Sequence, residues 1–380
     1  MTSLSEKPTL ELIRRMPKVL LHEHLDGGLR PATILELARE LSYELPHDDP
    51  DELADWFHRG ANKKSLPQYL EGFAHTIAVM QTEEALERVA YEFLEDMAAD
   101  GVVYAEVRFA PHFHTAGDLG LDSVMLAVLR GLRRGRADFG VEFGLIVCAM
   151  RNEAPELSVQ LVELALAYRE QGCVGFDLAG EEAGHPAKRH VLAFQLAKRK
   201  NFAITIHAGE SFGPESIWQA LQYCGAHRIG HGTRLVEDLV VYDGKVIKVG
   251  SLAQYVLDMR IPLEVCLSSN VHTGATPSIE QHPFPTFKEL GFRLTLNTDN
   301  RLMSRTSMSE EYQLAVETFG MSIDDLETLS INGMKSSFAH FEDRCRVIFE
   351  RIQLGFRELR REHSLPDRRR RGAAREGSEG

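Results

Sequence analysis

The chain is poor in cysteine, and its five (Cys148, Cys173, Cys224, Cys266 and Cys345) include no Cys-x-x-Cys. An odd, low count without that motif points to reduced thiols in a cytosolic setting, and they read as packing rather than catalysis. No stretch reaches the roughly 18 apolar residues of a membrane span. The opening MTSLSEKPTLELIRRMPK has no long apolar core. That argues against a signal peptide, so a cytoplasmic location is expected. Positive charge is also short. The net charge is −13, so the protein as a whole should repel nucleic acid and anionic membranes. No Gly-x-Gly-x-x-Gly follows the first apolar run, and there is no phosphate loop. An open doubly wound nucleotide-binding sheet therefore lacks its usual reason.

What is present suits a large soluble domain: 380 residues, 43% hydrophobic and 26% charged. A short apolar run, Val19 to Leu21, ends in His22-Glu23-His24. In an extended strand, residues two apart point to one side, so His22 and His24 project together. A long helical insertion follows, with helical spacing over 31–41, 65–80 and 83–99 and a charged stretch over 44–61. Its Trp56, Phe57, Leu66 and Tyr69 would cover a site or pack on the body. Strand and helix then alternate. Further strands are predicted over 101–110, 141–150, 173–178, 202–207, 228–231, 262–267 and 292–297, with helices between them. Eight largely apolar strands of this kind predict a closed (β/α)8 TIM barrel, an α/β fold buried on both faces of its sheet. Helices over 309–319, 323–338 and 341–359 close the chain. The domain is placed at 1–365. The Arg- and Gly-rich 366–380 cannot bury enough surface to order itself and reads as a solvated tail.

A TIM barrel places its chemistry at the C-terminal ends of its strands. Strand one ends in His22 and His24, strand five in His207 with Glu210 three residues on, strand six in His231, and strand eight near Asp299. Three imidazoles and one carboxylate form a ligand set that zinc prefers, with room for a water. A two-metal site would usually want a lysine at strand four, which ends Phe176-Asp177-Leu178-Ala179-Gly180 without one. One metal per subunit is expected, which leaves His231 for another role. His112, His114 and His272 also follow strands and are candidate pocket residues. Ser268 and Ser269 are candidate donors behind the ligands.

These segments resemble the adenosine deaminases among the amidohydrolase-type metal-dependent barrels. The matching pieces are HEHLDGGLRP (22–31), FDLAGEE (176–182), ITIHAGE (204–210), RIGHG (228–232), LSSN (267–270) and LNTDN (296–300). The resemblance implies zinc bound by His22, His24, His207 and Asp299. It implies catalytic roles for Glu210, His231 and Asp299. Glu210 would be protonated and donate to purine N1, while His231 orients the attacking hydroxide and Asp299 shares its proton. Substrate would meet His24, Asp26, Gly180 and Asn300, with Asp26 on the ribose 5′-hydroxyl and Gly180 letting backbone approach N3.

The chain departs from the family pattern after strand eight, where Asp299-Asn300-Arg301 stands for the usual Asp-Asp-Pro. Purine N7 is an acceptor, and an asparagine amide donates at any pH, so Asn300 is expected to keep that contact. The implied activity is hydrolytic deamination of adenosine, with 2′-deoxyadenosine, to inosine and ammonia in purine salvage. The alternatives are deamination of adenine or of a 5′-modified 6-aminopurine nucleoside, and a non-catalytic barrel that holds zinc or senses nucleosides. Expected partners are small purine nucleosides, with no nucleic acid and no membrane. The His-x-Glu and Pro-Cys-x-x-Cys layout of deaminases that act on nucleic-acid bases is absent.

Overall fold

The computed structural model describes residues 7–116 and 118–365. The Arg/Gly-rich 366–380 lies outside the described residues.

Eight parallel strands carry the fold: β1 (Lys18–His24), β2 (Val102–Phe109), β3 (Glu142–Met150), β4 (Cys173–Ala179), β5 (Ala203–Ala208), β6 (Arg228–His231), β9 (Leu263–Val265) and β10 (Leu294–Leu296). A separate antiparallel hairpin, β7 (Leu239–Tyr242) and β8 (Lys245–Val249), sits between β6 and β9 in the chain. The large sheet runs in the order β1-β2-β3-β4-β5-β6-β9-β10. It closes by a parallel bridge between Glu23 and Asp299. The seam is helped by the Asn297 side chain, whose Oδ1 accepts from the Leu21 N–H at 2.8 Å. The expected TIM barrel is therefore the observed one. Its strands are almost wholly buried, as helices on the outside and packed side chains within require. No helix among the described residues is long and apolar enough to cross a membrane.

Several elements differ from expectation, each for a local reason. The charged stretch 44–61 holds a real helix, Pro50–Ala61. Asp49 caps it through the N–H groups of Asp51 and Glu52, and Pro50 stands at its first position. The single helix expected over 65–80 is two, Leu66–Leu70 and Phe73–Val79, parted at Glu71-Gly72. Glycine is among the poorest helix formers, so the break falls there. The final helix is divided by a π-helical turn over Val347–Ile352. The seventh barrel strand stops at Val265, and Leu267–His272 is helical. A short helix, Leu10–Arg15, precedes β1. The buried Lys18 donates to the carbonyls of Ile13 and Met16 at 2.7 and 2.9 Å, capping that helix's free acceptors.

The barrel interior is not purely apolar. Glu106, Arg108, Asp177, Arg228 and Glu264 project from four strands and are all at most 1% exposed. Arg228 bridges Glu106 (2.7 Å) and Glu264 (2.5 Å), while Arg108 bridges Glu264 (2.9 Å) and Asp177 (2.8 Å). A charge buried in a strand survives only when paired, and this ladder pairs all five.

Candidate active site

The upper end of the ladder meets the strand-end histidines. Glu264 accepts from His22 Nδ1 at 2.8 Å, and Asp177 lies 3.0 Å from His207 Nδ1. Both carboxylates are held ionised well below their ordinary range despite burial. Arg228 and Arg108 do this for Glu264, and His207 and Arg108 for Asp177. Each acid therefore fixes one proton on the nearer ring nitrogen, which leaves the far nitrogen as a lone-pair donor.

Those far nitrogens converge. His24 Nε2 and His207 Nε2 are 3.1 Å apart, and His22 Nε2 and His24 Nε2 lie 3.2 and 3.5 Å from Asp299 Oδ1. The donor atoms of His22, His24, His207 and Asp299 all fall within 4.8 Å of one another. His22 Nε2 is buried without a hydrogen-bond partner. The ladder's three carboxylates exceed its two guanidiniums by one charge, and Asp299 adds another. Four converging donors beside an uncompensated negative charge fit a divalent cation, as this cluster could hold.

Two residues of the site other than glycine hold left-handed backbone. Asp299 has φ +63° and His231 has φ +62°. Neither is glycine, so each is strained, and such strain concentrates at functional sites. Asp299 Oδ2 also accepts from Ser269 Oγ at 2.6 Å. Of the two serines expected behind the ligands, Ser269 makes that contact. The backbone N–H of Ser268 instead points to Glu311, 3.3 Å away.

Glu210 stands across the cluster, with Oε2 3.6 Å from His231 Nε2. Burial raises its carboxyl well above the ordinary range, with the negative Asp299 and Glu182 adding to the effect. A protonated acid is thus favoured there. Its loop is clamped from below. The Glu182 carboxylate accepts from the backbone N–H groups of Gly209, Glu210, Ser211 and Phe212 at 2.6 to 3.0 Å.

His24, His207, Glu210, His231 and Asp299 line a cavity of about 410 Å³, while His22 is fully buried. Asp26, Gly180 and Asn300 line it too. Asp26 follows β1 in a 3-10 turn, and burial raises its carboxyl to about 7. Its Oδ1 is buried with no partner. Gly180 has φ +94°, and a Cβ there would stand 3.1 Å from Met150. The apolar wall comes from the insertion: Leu66, Tyr69, Leu70, Phe73 and Ile77. Trp56 and Phe57 instead pack on each other and on His75, away from the cavity.

The other histidines stay outside. His112 pairs with Glu153 at 2.7 Å, His114 bonds the Met80 carbonyl at 3.1 Å, and His272 packs on His58. None of the three lines the cavity. Sequence reading missed Arg108, Glu182 and Glu264. A charged residue inside an apolar strand, as in PLEVCL or YAEVRF, was the available signal for two of them.

The adenosine deaminase family matches residues 17–353 of this chain. Adenosine deaminase 1 of Streptomyces coelicolor is 52% identical over 366 residues, covering 95% of this chain and 92% of that protein. The adenine deaminase of Arthrobacter aurescens superposes with a TM-score of 0.81 at 26% identity, covering 91% of this chain and 99% of the other. Arabidopsis ADAL in complex with IMP superposes at 0.77 with 30% identity, covering 93% and 99%. Its family match, long curated relatives and strand-end donors agree: the chain belongs to the adenosine deaminase family.

Proposed function

We propose that the protein hydrolytically deaminates adenosine, and 2′-deoxyadenosine, to inosine and ammonia. It would do so with one zinc ion per subunit, held by His22, His24, His207 and Asp299, as a cytoplasmic step of purine salvage. The observation that carries the reading is the buried Glu210 carboxyl facing the same cavity as three of the four converging donors, His24, His207 and Asp299. Three imidazoles and a carboxylate are a zinc-type set. Zinc, when bound, lowers the pKa of water from 15.7 to about 7.

The residues of the chain do the rest. Attack at C6 of the purine breaks ring aromaticity and drives negative charge onto N1. Glu210 donates its proton to N1 and so neutralises that charge. His231 holds the attacking oxygen in line, and Asp299 shares the proton it gives up. Asn300 donates its amide to N7, and the bare backbone at Gly180 admits the N3 edge. His24 and Asp26 take the ribose 5′ end.

The lining favours a nucleoside over the ligands of the solved neighbours. Among the described residues no lysine or arginine lines the cavity, so a 5′-phosphate would meet Asp26 unpaired. Free adenine would leave the buried Asp26 without a partner. The test is absorbance near the purine band after zinc reconstitution. Loss is expected with adenosine, but not with adenine or adenosine 5′-monophosphate. No change with adenosine overturns the reading.

A further inference from the structure

His231 is held from behind by a chain of hydrogen bonds whose direction follows from one fixed donor. The backbone N–H of Phe284 donates to His282 Nδ1 at 3.0 Å. A peptide N–H cannot accept, so His282 Nδ1 carries no proton. His282 is 3% exposed, and burial lowers its pKa to about 3, so its ring is neutral. Its one proton is therefore on Nε2, which lies 3.2 Å from Asn270 Oδ1. Thr233 Oγ1 donates to the same oxygen at 2.8 Å. The His282 N–H thus settles which end of the Asn270 amide is oxygen, and the Thr233 hydroxyl, free to turn, adds a second donor to it. The other end, Nδ2, is 3.0 Å from His231 Nδ1.

An amide NH2 only donates, so His231 Nδ1 must accept. We infer that Asn270 is a positioning residue for His231: the amide, oriented by Thr233 and His282, keeps the His231 proton on Nε2. That nitrogen faces Glu210. His231 then presents an N–H to the cavity rather than a lone pair. It steadies the oxygen nucleophile as a hydrogen-bond donor and is not the group that first takes a proton from it. Asn270 touches none of the reacting atoms and acts through the imidazole alone. The kinetic consequence rests on the deaminase reading above, whereas the tautomer does not.

The experiment is 15N NMR of histidine-labelled full-length protein, zinc-loaded and chelated, with the His231 signals assigned by their loss in His231→Gln. A pyridine-type Nδ1 and a pyrrole-type Nε2 are expected in both samples. Asn270→Asp removes the donor and offers an acceptor, which should reverse the two. With zinc content unchanged, kcat for adenosine should fall by about 10²-fold or more, because a wrong tautomer is costly in a comparable triad. KM should stay within about threefold, since no substrate contact is lost. Thr233→Val leaves His282 to orient the amide, so the wild-type tautomer should persist. A wild-type His231 carrying its proton on Nδ1 overturns the inference, and that reading needs no variant to fold. So does an Asn270→Asp protein with unchanged tautomer and kcat. A wild-type enzyme inert toward adenosine would instead strike the proposed function and leave the NMR result to decide this one.

Discussion

The backbone N–H of His24 donates to the carbonyl of Asp299 at 2.8 Å, and the N–H of Asp299 returns a bond to the His22 carbonyl at 2.9 Å. The barrel is thus sewn shut at the residues whose side chains converge. First and last strands lie more than 270 residues apart in sequence, so the donor set exists only when the barrel is closed. Cation binding and closure are then linked. A ligand that binds the folded state alone stabilises it by mass action. Chelation should lower the midpoint of thermal unfolding, and zinc should restore it. An unchanged midpoint would mean that the four side chains do not share a metal.

Glu210→Gln tests the acid. Glutamine keeps the shape but holds no acidic proton. Turnover should fall by at least about 10²–10⁴-fold, the usual worth of general acid catalysis. Glu210 is not one of the four converging donors His22, His24, His207 and Asp299, so metal content should not change. Zinc loss in that variant would show that Glu210 has been given the wrong role.

Glu264→Gln tests the charge ladder. Glu264 receives His22, Arg108, Arg228 and Thr205 at 2.5 to 2.9 Å. A neutral amide would loosen the His22 ring and leave two guanidiniums short of a counter-charge. Metal affinity should drop by about 10–100-fold, measured by competition with a chelator. Unaltered affinity would make the ladder a matter of packing only.

The sequence disclosed most of the site because strand periodicity and the barrel's rule for its active end act locally. His22 and His24 are two apart, and His207, His231 and Asp299 each close or follow a strand. The supporting charges were harder to read. Arg108 touches Asp177 and Glu264, 69 and 156 residues away, and no local pattern encodes such a pairing. Glu23 was similar. It sits inside the opening His-Glu-His, yet it serves Arg301 and Thr298 across the seam. Helix Pro50–Ala61 was within reach, since Asp49-Pro50-Asp51-Glu52 is a start signal. Its excess of charge hid an amphipathic pattern.

Asn300→Leu and Gly27→Ala bear on the purine contact together. A Cβ at Gly27 would fall 1.8 Å from Asn300 Oδ1, so alanine must displace that side chain. Both variants should raise KM for adenosine by about 10-fold or more, as expected for one lost buried hydrogen bond. Both should retain zinc. Unchanged kinetics in Asn300→Leu would remove Asn300 from the substrate site. A silent Gly27→Ala alone would mean that the asparagine has room to retreat and still reach N7.

Glu311→Gln bears on stability and pH. Glu311 is fully buried beside the short helix after β9, accepting from Thr306 Oγ1 at 2.8 Å and the Ser268 N–H at 3.3 Å. Burial raises its carboxyl from 4.5 to about 7. The folded state therefore keeps a proton that the unfolded chain releases near pH 4.5. Between the two values the folded state binds more protons, so stability falls as pH rises, and the loss is complete above about pH 7. Glutamine does not titrate and removes that slope. The variant should match wild type near pH 4.5 and exceed it at pH 8. The gain should be on the order of 3 kcal/mol, at about 1.4 kcal/mol per pKa unit. Urea unfolding at both pH values measures it. A gap of equal size at both would mean that packing, not ionisation, separates the two side chains.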